Sequence, residues 1–241
     1  MLARAGRFML EAVAETMWPT RCAGCDVPGD LLCPDCAAKL TYIDVCRACP
    51  RCGAPYGRVL CTECNRTMLA SGKRTQFPLD AMASAVVLDD RARRIVLNYK
   101  DKGDRRLSAV IAEIMARYLP PSWMTGQAAI TFVPATSAAV RRRGFDHAEM
   151  IAAATAQYCR LPLANLLARP RSSDQRGLSR ALRQENMSKK MRTLPGASMP
   201  KSVIVVDDVC TTGATLYAAA DALREAGAQH VYGLTFARAW K

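Results

Sequence analysis

The sequence predicts an α/β protein with a doubly wound parallel sheet and a small cysteine-rich domain near its N-terminal end. Two observations support this prediction. Short apolar runs alternate with segments of helical periodicity, which is typical of parallel strands joined by crossover helices. Nine of the eleven cysteines lie between Cys22 and Cys64, mostly at two-residue spacings, which is typical of metal-binding knuckles.

The composition is that of a globular protein with an excess of basic residues. Half of the 241 residues are hydrophobic, which is enough for one or two domains with a sizeable core. The formal net charge of +13 at pH 7 favours polyanionic partners, namely nucleic acid, an anionic membrane surface or a phosphorylated small molecule. Charge by itself does not choose among these three.

Residues 1–18 have the pattern of an amphipathic helix that ends at Pro19. Charged residues interrupt its apolar positions, so the segment is a poor signal peptide and a poor membrane span. Its apolar face is expected to pack on the protein itself, with a membrane surface as the alternative. The cysteine pattern favours metal over disulfides, which indicates a reducing, cytoplasmic location.

Four Cys-x-x-Cys pairs are expected to bind about two structural Zn²⁺ ions as two zinc ribbons. One tight turn can aim two thiolates at a tetrahedral ion, and a second turn completes the four ligands. The expected ligands are Cys22, Cys25, Cys33, Cys36, Cys49, Cys52, Cys61 and Cys64. Gly53 favours Cys52 as a knuckle residue, which leaves Cys46 unused. Reduced cysteines without metal, or a redox-active pair, are the alternatives.

A boundary between two domains is predicted after the cysteine-rich segment. Residues 70–79 are small, polar and basic and include Gly72 and Pro78, which is typical of a linker. Residues 1–69 are therefore expected to hold the N-terminal helix and the double zinc ribbon. Residues 80–241 are expected to form the α/β domain.

The α/β domain is predicted to alternate strands with helices. Asp89 or Asp90 is expected to cap the first of these helices, and Gly227 to end the last. The strands are expected at residues 83–88, 129–133, 203–206 and 231–237. Apolar residues at helical spacing occur at residues 95–99, 107–118, 150–158 and 216–223.

Residues 203–215 combine a buried strand, an acidic pair and a threonine-rich turn before a helix. Ligands of open α/β sheets bind beyond the carboxyl ends of the strands, where Asp207 and Asp208 could accept hydrogen bonds from sugar hydroxyls. A helix N-terminus stabilises phosphate through free N–H groups and its dipole. The candidate phosphate-binding residues are Thr211, Thr212, Gly213, Ala214 and Thr215. An ordinary strand, turn and helix cap is the alternative.

Four signatures in this order resemble the competence-protein ComF family of type I phosphoribosyltransferase-like proteins. They are the cysteine pairs, Tyr99-Lys100-x-x-Gly103-Asp104, Pro134 with Arg143-Gly144-Phe145, and the motif at residues 203–215. The resemblance implies a type I phosphoribosyltransferase-like fold that binds 5-phosphoribosyl 1-pyrophosphate (PRPP) and carries a zinc ribbon. It further implies that the two acids hold the ribose hydroxyls, that the threonine-rich loop holds the 5′-phosphate, and that Mg²⁺ accompanies PRPP.

The pyrophosphate side of this implied site is expected at the turn after residue 133. Arg143 is expected to act with Asp207 and Asp208 in catalysis. Further candidate cations are Lys100, Lys102, Arg141 and Arg142, and a solvated arginine run is the alternative. His147 could be an acid or base near the acceptor, although an ordinary helix cap is the favoured interpretation.

Three residues depart from the family pattern. Asp146 replaces the usual Asn, His147 replaces the usual Gln, and Leu182 stands where an acid is frequent, so the polar contacts of these loops are expected to differ. Residues 169–191 are irregular and are either a functional mobile loop or a solvated, charge-rich one. Its residues Gln175, Leu178, Arg183 and Asn186 match the family spacing.

Two main functional hypotheses follow. The first is a phosphoribosyltransferase that transfers phosphoribosyl from PRPP to an unknown acceptor and releases pyrophosphate, in a protein linked to natural competence and DNA uptake. The second is a zinc-ribbon adaptor that binds single-stranded DNA, or a DNA-uptake protein, and uses the PRPP pocket only as a sensor. A scaffold with neither activity is a third alternative.

Overall fold

A four-stranded parallel sheet forms the centre of the protein. The computed structural model describes residues 19–71, 74–169 and 191–240. The strands are β1 Ala81–Val87, β2 Ala128–Phe132, β3 Ser202–Cys210 and β4 His230–Arg238. Their spatial order is β1-β4-β3-β2, and every neighbouring pair is parallel. The predicted α/β class and parallel sheet are confirmed.

Strand β3 lies between β2 and β4 and is covered on both faces. Its apolar run Val203–Val206 is fully buried, as its lack of polar alternation predicts. Pairing with β4 continues beyond this run, from Asp207 opposite Thr235 to Cys210 opposite Arg238. The strand is therefore longer than the predicted residues 203–206, and the acidic pair lies inside its carboxyl end.

Seven α-helices and one 3₁₀ helix accompany the sheet in the described part of the chain. They are α1 Pro34–Ala38, α2 Arg66–Ser71, α3 Asp90–Lys100, α4 Leu107–Ala116, the 3₁₀ helix Pro121–Met124, α5 Ser137–Arg143, α6 His147–Cys159 and α7 Ala214–Glu225. Asp89 caps α3, because its carboxylate accepts hydrogen bonds from the N–H groups of Arg91 and Ala92.

Helices lie on both faces of the sheet. One core joins Ile204 and Val206 of β3 to α3, α4 and α6. The other joins Val203 and Val205 to α7. Because successive side chains of a strand point to opposite faces, these two cores are separate layers, and the predicted doubly wound arrangement is confirmed.

The cysteine-rich segment packs against the outer edge of β1. The Ile43 N–H donates to the Ala85 carbonyl at 2.9 Å, and the Val87 N–H donates to the Thr41 carbonyl at 2.8 Å. Gly53 has φ +65°, and a Cβ there would lie 2.8 Å from the Met82 carbonyl oxygen. Glycine is needed at this position for both reasons.

Some predictions fall on residues that the structure does not describe. These are the helix at residues 1–18 and most of the irregular loop, including Gln175, Leu178, Leu182, Arg183 and Asn186. Within the described ranges, no helix combines the length and the apolar character needed to cross a membrane.

Candidate functional site

The acidic pair lies at the carboxyl end of β3. Asp208 is 2% exposed, and Asp207 is half-buried. The Asp208 N–H donates to the Asp207 carboxylate, and the Val209 N–H donates to the Asp208 carboxylate, each at 2.9 Å. These backbone contacts fix both carboxylates at the strand end, where ligands of open α/β sheets bind.

The turn from β3 into α7 forms an open concavity beside Asp207. We call residues 211–215 the phosphate loop. Gly213 is the N-cap residue of α7 and has φ 75°, so no side chain at that position accepts from the first helical turn. Thr212 Oγ1 is 3.4 Å from the Ala214 N–H group. The helix N-terminus therefore has the geometry of an anion-binding site, and phosphate binding there stays a prediction.

Lys100 reaches the acidic pair from the end of α3. Its ammonium group forms an ion pair with the carboxylate of Asp208. The lysine side chain is 21% exposed, whereas Asp208 is almost fully enclosed. This predicted candidate therefore belongs to the site geometrically.

His147, at the start of α6, lies beside the acidic pair, and Arg143, at the end of α5, lies beside His147. Arg143 Nη1 lies 3.3 Å from His147 Nδ1, and Arg143 Nη2 lies 3.6 Å from an oxygen of Asp101. A nitrogen of His147 lies within 4.8 Å of carboxylate oxygens of Asp207 and Asp208. The fold thus brings these four side chains, Arg143, His147, Asp207 and Asp208, to one place.

The interpretation of His147 as a helix cap is wrong. Asp146 is the N-cap of α6, and its carboxylate accepts from the N–H groups of Ala148 and Glu149 at 3.1 Å and 3.4 Å. His147 is the first helical residue, and its side chain is buried. The Asp146 cap starts α6 at His147, and the His147 side chain lies beside the acidic pair.

Arg141 and Arg142 are exposed in the last turn of α5. Neither forms an ion pair with a residue in the described ranges. Their side chains are free to turn toward an anion or to remain in water. Their assignment to PRPP stays a prediction.

The surroundings shift the pKa values of Asp207, Asp208 and His147 in different directions. Burial and the charge of Asp208 raise the pKa of Asp207 well above its usual value. Burial also acts to raise the pKa of Asp208, but Lys100 and His147 outweigh it, and the pKa is lowered. Burial lowers the pKa of His147 to about 4, with Lys100 and Arg143 adding to the effect. At neutral pH, Asp208 is therefore ionised and His147 is neutral.

Residues 105–238 match the phosphoribosyl transferase domain family, which is more than half of the chain. The chain belongs to this family. It is also 25% identical to the competence protein ComFC of Bacillus subtilis (strain 168) over 203 residues, which cover 83% of this chain and 80% of that protein. The resemblance predicted from the sequence motifs is confirmed.

Two solved structures show partial likeness to this phosphoribosyl transferase domain protein. The allosteric regulatory enzyme of purine biosynthesis is 22% identical with a TM-score of 0.37, covering 53% of this chain but only 25% of that enzyme. Orotate phosphoribosyltransferase from Aeropyrum pernix is 17% identical with a TM-score of 0.34, covering 64% of this chain and 80% of that one. The fold assignment depends on the sheet order and the family match.

The N-terminal part of the phosphoribosyl transferase domain protein contains two sets of four cysteines that could each hold zinc. The first cluster is Cys22, Cys25, Cys33 and Cys36, and the second cluster is Cys49, Cys52, Cys61 and Cys64. Sulfur separations are 3.6 Å for Cys22 and Cys33, and 3.5 Å for Cys52 and Cys61. A tetrahedral ion with 2.3 Å bonds to sulfur requires about 3.8 Å, whereas a disulfide requires about 2 Å. The predicted pairing fits, and Cys46 is outside both clusters.

Two anchoring residues of the phosphoribosyl transferase domain escaped the sequence reasoning. Tyr99 donates its hydroxyl hydrogen to the His147 carbonyl at 2.7 Å, which ties α3 to α6. Arg169 donates to Asp146 at 2.9 Å and to the Ala135 carbonyl at 2.7 Å. Asp146 also accepts from the Ala135 N–H at 2.9 Å, so the departure from Asn provides an anchor for this turn. The sequence signals were the place of Tyr99 in a family signature and the family departure at Asp146.

Proposed function

We propose that this protein binds PRPP at the carboxyl end of β3 and transfers its phosphoribosyl group to an acceptor, releasing pyrophosphate. One observation carries the proposal. A fixed acidic pair and an open helix N-terminus are adjacent on one chain segment, Asp207 to Thr215, so a sugar and its phosphate can be bound together.

Each part of the site has a role in this reaction. The N–H groups of the phosphate loop bind the 5′-phosphate, since the dipole of α7 favours negative charge there. Asp207 and Asp208 accept hydrogen bonds from the ribose hydroxyls and hold the ribose C1 toward the acceptor. Fixing the reactants in this way supplies much of the rate enhancement when the transition state has oxocarbenium character.

Cationic side chains act on the pyrophosphate. Arg143 is fixed beside His147 and is the principal candidate, with Lys100 second and the exposed Arg141 and Arg142 able to join when the ligand is present. Lys100 moves from Asp208 to the pyrophosphate as the ribose takes its place. Positive charge held where negative charge develops stabilises the transition state.

Mg²⁺ is expected to enter with PRPP. The carboxylates of Asp207 and Asp208 are hard oxygen ligands that suit this ion, directly or through water, whereas His147 suits it poorly. When bound, Mg²⁺ neutralises part of the pyrophosphate charge. In the free protein, Lys100 supplies the positive charge that Asp208 requires.

A specific surface favours nucleic acid as the partner or acceptor. Tyr56 and Trp240 are 57% and 45% exposed and form an edge-to-face pair with centroids 5.3 Å apart. The Arg47 guanidinium lies 5.3 Å from the Tyr56 ring centroid. Exposed aromatic rings beside arginine provide stacking platforms for single-stranded bases.

This aromatic surface is next to the phosphate loop. The Ala239 N–H donates to the Cys210 carbonyl at 2.9 Å, which places Trp240 beside the start of the loop. The likeness to a competence protein supports a role in natural competence. We infer single-stranded DNA in the cytoplasm as the ligand of this surface. The second candidate function is therefore a DNA-binding adaptor in which PRPP is only a regulatory ligand.

One experiment separates these functions. PRPP binding is measured by titration calorimetry with and without Mg²⁺ for the wild type and for Asp207→Asn/Asp208→Asn. Exposed Glu149 and Glu225 provide a control, Glu149→Gln/Glu225→Gln, which makes the same two acid-to-amide replacements away from the site. Pyrophosphate release is then assayed with free bases, nucleotides and single-stranded DNA.

If the protein is a transferase, PRPP binding should depend on Mg²⁺ and should be lost in Asp207→Asn/Asp208→Asn but not in the glutamate control. Pyrophosphate should be released with one class of acceptor. Undiminished PRPP binding by the aspartate double variant would remove the proposal. Tight binding with no release for any acceptor would favour the adaptor.

A further inference from the structure

A fully buried arginine lies between the second cysteine cluster and the phosphate loop. Arg238 is the last residue of β4 and is 2% exposed. Its Nη1 group donates to Cys210 Sγ, and its Nε group has no hydrogen-bond partner. Within the described residues, Arg238 forms no ion pair with a carboxylate. A guanidinium removed from water in this way requires a negative partner elsewhere.

The second cluster can supply that negative charge. Cys52 is fully buried, and the second cluster lies against the end of β4, because Tyr56, between Cys52 and Cys61, packs on Trp240, two residues after Arg238. Four thiolates around one Zn²⁺ carry a net charge of about −2, which is costly to bury without a cation nearby. The positive charge of Arg238 therefore offsets part of the negative charge of a zinc-loaded second cluster.

The same guanidinium is connected to the phosphate loop. Cys210, which accepts from Arg238, directly precedes the loop on β3. Below the loop, the Tyr217 ring packs so closely that a Cβ on Gly213 would be 2.5 Å from the ring. Phe77 packs edge-to-face on Tyr217 with centroids 5.3 Å apart and also contacts the second cluster. A continuous set of contacts thus joins the cluster to the loop.

We propose that Arg238 is a positioning residue that compensates the charge of zinc at the second cluster and, through Cys210, holds the phosphate loop in its binding conformation. Loss of this zinc leaves the buried guanidinium without its counter-charge, so Arg238 shifts and the loop shifts with Cys210. The part of the inference that concerns PRPP rests on the proposed function. The part that concerns zinc does not.

The first cluster provides an internal reference. Its contacts run to another part of the protein, where Asn98 of α3 donates to the Ala23 carbonyl at 2.9 Å. Arg238 is therefore expected to affect the zinc of one cluster and not of the other. A general loss of stability would affect both.

The first test measures zinc release from the full chain into a chromogenic chelator for the wild type, Arg238→Met and Arg238→Lys. Arg238→Met is expected to release one of two zinc ions about tenfold faster, with the other unchanged, because outer-shell partners typically contribute this much to metal affinity. The rate of zinc release from Arg238→Lys should lie between those of the wild type and Arg238→Met, because lysine keeps the positive charge but lacks the planar guanidinium group. Arg224→Met removes an arginine that pairs with Asp80 and is the control.

A second measurement covers the case in which Arg238→Met fails to fold. Replacement of zinc by ¹¹³Cd is expected to give two cadmium resonances, and Arg238→Lys should shift only one of them. Two unshifted resonances, or wild-type release rates for both ions, would overturn the inference.

The link to the loop is tested by PRPP calorimetry. Arg238→Met, and a Cys49→Ser/Cys64→Ser variant that cannot hold zinc at the second cluster, should lose PRPP affinity by a similar factor, on the order of tenfold. Unchanged affinity in both would remove the link to the loop. If the wild type itself does not bind PRPP, the proposed function fails, while the zinc measurements still decide the role of Arg238.

Discussion

Lys100 and Asp208 form an ion pair that crosses from the end of α3 to the end of β3. The pair gives two adjacent acids different pKa values, because Lys100 contacts Asp208 directly, whereas Asp207 forms no ion pair within the described residues. Asp208 is held ionised, and Asp207 is held toward its protonated form. The two aspartates are therefore expected to respond oppositely to the same substitution.

Asp208→Asn should lower the free energy of unfolding by roughly 2 kcal/mol, because it leaves Lys100 beside an uncharged partner; the exposed part of Lys100 keeps the loss below that of a fully buried pair. Asp207→Asn should raise the free energy of unfolding at pH 7, because it removes a carboxyl group whose ionisation the fold disfavours. Urea unfolding of both variants checks this. Equal effects of the same sign would contradict the assigned charge pattern.

PRPP binding should release a proton and tighten as pH rises. The pKa of Asp207 is raised in the free protein by burial and by Asp208, so a fraction of Asp207 carries a proton that Mg²⁺ and PRPP displace. Calorimetry in buffers of different ionisation enthalpy measures the proton released. Asp207→Asn should abolish this proton release. If PRPP binding to Asp207→Asn still releases a proton, the proton comes from another group.

The contribution of His147 to the free energy of unfolding should fall as the pH is lowered from about 6.5 to about 4. Its pKa is about 4 in the folded protein, so in this window the unfolded chain binds a proton that the folded one does not. The loss should reach about 2 kcal/mol at pH 5. His147→Gln should remove it, as measured by urea unfolding at pH 7 and pH 5.

The other histidine of the chain provides the control for this measurement. His230 is exposed at the start of β4, and His230→Gln should keep the wild-type difference between the two pH values. A flattened profile in this variant instead would move the effect away from the candidate site.

Gly213→Ala should abolish PRPP binding and destabilise the protein. The new Cβ would meet the Tyr217 ring at 2.5 Å, in addition to the cost of a left-handed backbone, which is about 1 kcal/mol. Gly196→Ala is the matched control, because Gly196 has φ 73° and no atom near its Cβ position. Calorimetry and thermal unfolding compare them, and equal losses in the two variants would show that close packing under the loop is unimportant.

The sequence predicted best what is local. The buried run of β3, the cap at Asp89 and the four cysteine pairs each depend on residues within a few positions of one another. The same locality explains why the length of β3 was underestimated. The strand continues through Asp207 and Asp208 because β4 pairs with Asp207, Val209 and Cys210, which periodicity in one segment cannot show.

The candidate site required tertiary information. Lys100, Arg143 and His147 come from three separate helices and meet the acidic pair only when the sheet has formed. Their order along the chain gave no reason to prefer His147 over Arg141 or Arg142. The burial of Arg238 was equally invisible, because an arginine at the end of a strand is normally exposed.

The antiparallel contact between residues 41–43 and β1 bears on how the chain reaches its final structure. In the described part of the chain, β1 is an edge strand of the four-stranded sheet and pairs with β4. The hydroxyl groups of Ser84 and Thr235 lie 2.7 Å apart, although the two residues are 151 positions apart in sequence. During synthesis β1 is therefore unpaired until β4 emerges much later. Strands with unpaired edges readily associate with strands of other chains. The cysteine-rich segment is synthesised before β1 and can therefore pair with one edge of β1 as soon as that strand emerges. This pairing protects the edge from association with other chains until β4 has been synthesised.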